Sequence, residues 1–250
     1  MKRFIFTMFM ACAMFASVNA QSSQFDDEEN PGGWNFNAPF ISIKSENGQR
    51  RFGAELSSSF SFGFIAGVNQ ASGVSIDMGQ SYEIEWGNVI STSAKVGRHG
   101  LFRIGMGFDW RNYRMTNQNM FLMNTETKDI SVAPYPEGSE PKFSRIHTFS
   151  LSFPVKYYHQ LGKKVYFAVG PELYYTPHAS LKTRYSLDGE KQKITQKNFH
   201  FNRFSVGVGA ELMLYHIGVY YKYNPFNVLN TNYGPEFSSM TVGFKLGFNR

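Results

Sequence analysis

From Phe52 onward, apolar and polar residues alternate with a period of two, the spacing of strands whose faces meet unlike surroundings. In the last stretch, Met240, Val242, Phe244, Leu246 and Phe248 alternate with Ser239, Thr241, Gly243, Lys245 and Gly247. In another, Phe102, Ile104, Met106, Phe108 and Trp110 oppose Arg103, Gly105, Gly107, Asp109 and Arg111. The same contrast runs through Phe52 to Ala66, Tyr82 to Val96, Phe149 to Tyr157, Val165 to Leu173, Phe204 to Leu214 and Ile217 to Tyr223. The pattern predicts eight strands.

The connections sort into two kinds. Arg98-His99-Gly100 and Gln160-Leu161-Gly162 read as three-residue loops closed by glycine, and Tyr215-His216 as a two-residue turn. These turns set Val96 opposite Phe102, Tyr157 opposite Val165 and Leu214 opposite Ile217, so the apolar residues stay on one face. Long polar connections at about 67–81, 115–144, 178–198 and 224–237 alternate with them.

Charge decides which face is which. The central part of the apolar face carries no Asp, Glu, Lys or Arg in any strand, whereas the opposite face holds Glu55, Glu83, Glu85, Lys95, Arg103, Asp109, Arg111, Lys156, Glu172, Arg203, Glu211, Lys222 and Lys245. A charge facing lipid at mid-bilayer costs about 2 to 4 kcal/mol, which accounts for the segregation. Strands of this length match the nine to eleven tilted residues that cross a bilayer. In lipid, only closure satisfies every strand edge. The expected fold is therefore all-β: an eight-stranded antiparallel up-and-down transmembrane β-barrel with short periplasmic turns and long external loops. Trp86, Trp110, Tyr157, Tyr175, Tyr221 and Tyr223 are candidates for its interfacial girdles. A secreted barrel such as a lipocalin would put the apolar set inside, leaving a row of charges interleaved with glycines in water.

Composition agrees. Aromatic residues reach 17% and there are 23 glycines in 250 residues, a pairing that favours strands over helices. With a mean hydropathy of −0.33, no run after the amino terminus is long and apolar enough for a transmembrane helix. Residues 1–20 read as a signal peptide: Lys2 and Arg3, the apolar core Phe4 to Phe15, and Val18-Asn19-Ala20 as the cleavage site. The sole cysteine, Cys12, lies within it, so a mature chain offers no thiol chemistry or disulfide. Removing Lys2 and Arg3 leaves 23 basic and 19 acidic residues, a net charge of +4, too slight and dispersed to indicate nucleic acid. Residues 21–51 form an acidic tail or linker containing Asp26-Asp27-Glu28-Glu29. Asn47-Gly48 there is a hairpin signal that would pair Phe40 to Ile43 with the residues after the turn. A plug or partner-binding segment and a disordered linker are the two readings of this tail.

Val18-Asn19-Ala20-Gln21, Ile104-Gly105-Met106-Gly107-Phe108 and Val242-Gly243-Phe244-Lys245-Leu246-Gly247-Phe248 give the chain a resemblance. It resembles the outer-membrane β-barrel proteins of Bacteroidetes-type Gram-negative bacteria, a group that includes the PorT-like proteins. The resemblance covers about residues 52–250 and implies a cell outer membrane location, with the barrel assembly machinery as a partner. The chain departs from the usual assembly signal, a final aromatic, in that Asn249 and Arg250 come after Phe248.

The inward charges are six acids and seven bases, near balance. Eight strands leave an interior that side chains fill, so the leading expectation is an ion-paired core within a non-enzymatic scaffold for surface loops or envelope interaction. A narrow small-solute channel is the first alternative and a lipid-modifying enzyme the second. For the enzyme, His178-Ala179-Ser180 has the right spacing on one strand face, but no acid partner is identifiable. No catalytic residue, cofactor or metal set is assigned. The basic run Lys182, Arg184, Lys191, Lys193 and Lys197 has two equal readings, an approach to anionic lipopolysaccharide and a solvated loop face. Met120-Phe121-Leu122-Met123 in the longest loop either docks a surface or periplasmic protein partner or packs locally.

Overall fold

The computed structural model describes residues 34–38, 41–46, 49–53, 58–96 and 99–247; the stretch read as a signal peptide lies outside them. The strands are β1 (Trp34–Ala38), β2 (Ile41–Glu46), β3 (Gln49–Gly53), β4 (Ser59–Val68), β5 (Tyr82–Val96), β6 (Gly100–Arg114), β7 (Asn119–Met123), β8 (Ile130–Pro134), β9 (Glu140–Gly162), β10 (Val165–Leu187), β11 (Glu190–Lys197), β12 (Phe204–Leu214), β13 (Ile217–Asn224) and β14 (Ser238–Gly247). Eight of them, β4, β5, β6, β9, β10, β12, β13 and β14, pair with their neighbours in a closed antiparallel ring. Closure runs through β14 and β4, from Ser238 opposite Val68 to Gly247 opposite Ser59. The fold is the expected eight-stranded up-and-down β-barrel.

The short turns differ in register from the sequence reading while keeping each side chain on its expected face. Val96 pairs with Gly100, and Ala94 with Phe102. Val165 pairs with Gly162, leaving Lys163-Lys164 as the turn, and Val169 pairs with Tyr157. Both shifts are by an even number of residues, which preserves the face in a period-two structure. Leu214 pairs with Ile217 as expected, and Tyr215 turns the chain at φ +56.

Additional strands lie outside the ring. In the stretch read as a tail, β1, β2 and β3 form a meander, with Glu46 opposite Gln49 across the Asn47-Gly48 signal. Trp34–Asn37 of β1 pair with Ser91–Ala94 of β5. The pairing of β5 with β4 ends at Gly87, and Asn88, at φ +51, lies in a bulge between the two partners. The stretch read as a loop at 178–198 is mostly strand: β10 continues to Leu187 and pairs with β11. Within the loop read at 115–144, β7 and β8 form a hairpin.

The polarity of the wall reverses along its height. Around the middle, Phe62, Phe64, Phe102, Ile104, Leu173, Val208, Val219, Val242 and Phe244 point outward, with Phe244 62% exposed. Toward the long-loop end the apolar residues point inward instead: Ile65, Tyr113, Met115, Ile146, Ala179 and Leu181 are buried. Phe121, Met123 and Ile130 from the β7–β8 hairpin join them, together with Phe199, Leu229 and Phe237, in one apolar cluster over the barrel mouth. Burying each such side chain contributes about 1.5 to 3 kcal/mol. The Met120-Phe121-Leu122-Met123 segment therefore packs locally, with only Leu122 well exposed. On β9, the stretch Phe149–Tyr157 places Phe149, Leu151, Phe153, Val155 and Tyr157 outward, the nine-residue span that a tilted strand needs to cross hydrocarbon.

Candidate functional site

The barrel lumen is filled by an ion-pair network drawn, among the described residues, from seven of the eight strands. Strand alternation aims every second residue inward, and among the described residues ten charged side chains so placed are buried: Glu83, Glu85, Asp109, Glu172 and Glu211 against Arg103, Arg111, Lys156, Lys222 and Lys245. Their formal charges cancel. Lys222 is the hub, with its Nζ 2.9 Å from Glu83, 2.8 Å from Glu85, 3.3 Å from Glu172 and 3.9 Å from Asp109. The Arg111 Nε lies 3.0 Å from both Glu83 and Asp109, and its guanidinium sits 4.3 Å from the centre of the Tyr174 ring. Lys156 bridges Glu172 and Glu211, while Lys245 reaches Glu211 at 2.7 Å.

Neutral donors complete the network. The Thr241 hydroxyl donates to Glu83 at 3.1 Å and Tyr220 to the same carboxylate at 3.4 Å. Ser152 donates to Glu85 at 3.3 Å, and Tyr174 donates to Glu172. An unpaired buried charge is expensive, and this lattice of partners removes that cost. Room for Tyr220 comes from Gly63, where a Cβ would meet the Tyr220 hydroxyl, and Gly243 opposite it lets the two strands approach, since a Cβ there would strike the Phe62 carbonyl.

Above and below the charges the lumen is apolar or aromatic. Leu101, Tyr158 and Ala168 close it toward the short turns, with Arg103 stacked 5.0 Å from the Tyr158 ring centre. Toward the mouth, a small cavity of mixed lining, with Arg111, Ser150, Thr176 and Asn224 on its polar side and Phe201 and Val228 on its apolar side, lies between the charges and the apolar cluster.

Of the inward positions read from sequence, Glu85, Arg103, Asp109, Lys156, Glu172, Glu211, Lys222 and Lys245 are brought together in the lumen, with Glu83 and Arg111 between them. Arg203 is not among them: it is exposed, because β12 begins at Phe204 and Arg203 sits at the strand's outer end. Glu55 and the Lys95 side chain lie outside the described residues. Thr241 and Ser152 belong to the polar face of their strands; Tyr174 and Tyr220 are not evident from polarity, although each shares the inward parity of a charge on its own strand, Glu172 and Lys222.

A second charged region lies on the outer wall above the apolar belt. His178 is exposed and Ser180 buried, and no hydrogen bond joins them to each other or to an acid among the described residues. Ser180 pairs instead across to His147 on β9 and Lys197 on β11. Burial, reinforced by Arg145, Lys182 and His178, depresses the His147 pKa to about 4. Burial likewise lowers that of Lys182, with Arg145, Arg184, Lys193 and Lys197 adding to the effect. Lys191, Lys193 and Lys197 alternate along the exposed face of β11.

An apolar belt facing outward, a neutralised polar core and a ring without free edges together meet the requirements of a barrel seated in a bilayer. No family model matches the chain, and comparison with curated proteins finds no match. Among solved structures the chain is similar to Ail, the attachment invasion locus protein of Yersinia pestis, with 11% identity, 77% of this chain and 99% of that one covered, and a TM-score of 0.35. It is also similar to the CymD monoaromatic hydrocarbon channel, with 10% identity, 88% and 66% of the two chains covered, and a TM-score of 0.28.

Proposed function

We propose that this chain is a non-enzymatic outer-membrane β-barrel of the Bacteroidetes PorT-like kind, sealed through its lumen, whose long-loop end is a folded platform for contacts in the cell envelope. The observation that carries the reading is the lumen itself: Lys222 holds four carboxylates from three strands, and an apolar cluster lies over the mouth. Such a core serves as a rigid pedestal. The hairpin β7–β8 and the extended pair β10–β11 stand on it, and binding residues concentrate on loops and edges carried by a rigid scaffold.

Planar-bilayer recording of the refolded protein tests this. A sealed pedestal leaves the baseline conductance unchanged, whereas a steady open state would establish the small-solute channel and overturn the proposal.

A further inference from the structure

The outer wall above the apolar belt carries a concentration of positive charge, with no acid in its three lowest rows. Three successive rows on this face, read across β6, β9, β10 and β11, contain Arg114 opposite Arg145, Arg145 opposite Lys182, and Phe143 opposite Arg184. Lys193 and Lys197 extend the upper and lower rows onto β11. These rows hold six cations and no Asp or Glu. None of the six has an ion-pair partner among the described residues, in contrast to the lumen, where cations and carboxylates are matched. Three guanidinium groups converge on one ring: Arg114, Arg145 and Arg184 lie 5.6, 4.8 and 5.3 Å from the centre of Phe143. The Nε atoms of Arg114 and Arg145 are buried without a hydrogen-bond acceptor. Like charges packed this closely repel, and the arrangement lacks its counter-charge.

Height identifies where that counter-charge comes from. Trp110 and Phe149, 5.3 Å apart, mark the upper aromatic edge of the belt. Arg145 lies four residues beyond Phe149 on the same face of β9, about 13 Å along the strand at about 3.3 Å per residue, or about 10 Å of height at a tilt near 40°. That is the headgroup zone flanking a hydrocarbon core about 30 Å thick. Arginine presents a planar fork suited to phosphate oxygens.

We propose that Arg114, Arg145, Lys182 and Arg184, framing Phe143, form a binding site for the phosphorylated headgroup of an outer-leaflet glycolipid of the lipid A type. The acyl chains of that lipid lie against the apolar belt directly below. The site rests on the transmembrane placement of the barrel but not on whether the lumen is sealed.

The test is binding of fluorescent diphosphoryl lipid A to the refolded full chain in detergent micelles, with heat-dependent gel mobility confirming that each variant is folded. The triple variant Arg145→Gln/Lys182→Gln/Arg184→Gln should bind about a hundredfold more weakly, from about fivefold per charge near an anionic headgroup. Should it fail to fold, Arg184→Gln alone, at an exposed position, should lose about fivefold. Fully dephosphorylated lipid A should bind the wild type as weakly as the triple variant binds the phosphorylated form. Lys163→Gln/Lys164→Gln, in the turn at the opposite end, should change nothing. Unaltered binding by the Gln variants, equal binding of the dephosphorylated lipid, or an equal loss from the turn variant would overturn the site. Displacement by inorganic phosphate at the concentration of the lipid would overturn its assignment to a lipid headgroup.

Discussion

Lys222→Met is the perturbation that most loads the lumen. Lys222 lies near four carboxylates, but they do not depend on it equally. Glu83 and Asp109 keep Arg111 at 3.0 Å, and Glu172 keeps Lys156. Among the described residues Glu85 keeps only the Ser152 hydroxyl at 3.3 Å. Methionine fills most of the space of the lysine stem, so the substitution removes charge with little change of volume and leaves one buried carboxylate without a cation. Breaking a buried pair in this way costs about 3 to 5 kcal/mol, a large share of a typical stability of about 5 to 15 kcal/mol. Urea unfolding of the refolded barrel in micelles, followed by tryptophan fluorescence, reads the loss. Lys222→Met/Glu85→Gln returns the lumen to neutrality and should recover stability to within about 1 kcal/mol of the wild type, an interaction between contacting sites that a double-mutant cycle exposes. A single variant already within about 1 kcal/mol of the wild type, or a double variant as unstable as the sum of its parts, would refute the reasoning.

Two further outcomes are expected of the same wall. Phe244→Lys places a charge against lipid at a cost of about 3 kcal/mol and should cut the membrane-assembled fraction severely. Lys245→Met, one residue away, leaves Glu211 its contact with Lys156 and should cost only about 1.5 kcal/mol; heat-dependent gel mobility of membrane fractions compares the two. His147 is held neutral, with its pKa depressed from 6.5 to about 4, so below pH 6.5 the unfolded chain takes up a proton that the folded chain does not. Stability from this residue is therefore complete above about pH 6.5 and declines by about 2 to 3 kcal/mol as pH falls toward 4. The wild type should lose that much more than His147→Gln between pH 7 and 4.5 in parallel urea titrations.

The ring was legible in the sequence because lipid and lumen impose opposite requirements on alternate residues, and stretches such as Phe102 to Arg111 write both down. Near the mouth the same period persists with its meaning reversed. Along β10, Leu173 faces out while Ala179 and Leu181 face in, across a register shift between Tyr175 and His178. Once the strand leaves the hydrocarbon, water lies outside and the apolar cluster inside. Lys182 and Arg184 then appear on the face that carried Leu173, and an alternation of basic and modestly apolar residues reads as a polar loop. The charges of the lumen were named from parity alone, but their partners depend on which strands adjoin. Glu85 and Lys222 are 137 residues apart, and nothing local pairs them. The basic run Lys182, Arg184, Lys191, Lys193 and Lys197 is legible in the sequence, but its joining to Phe143, Arg114 and Arg145 is not: the three arginines come from three strands, and Arg114 and Arg145 alone are ordinary loop-end cations.

Odd and even positions of a ring strand face different solvents, and β14 allows this to be measured directly. Cys12 is the sole cysteine in the sequence, so single cysteines can be placed along β14 in a Cys12→Ser background. Each is labelled with an environment-sensitive fluorophore, and quenching by brominated lipid in reconstituted vesicles is recorded. Labels at Met240, Val242, Phe244 and Leu246 should be quenched strongly and those at Thr241 and Lys245 should be protected. Uniform quenching along the strand, or strong quenching at Thr241 and Lys245 with protection at Val242 and Phe244, would contradict the account.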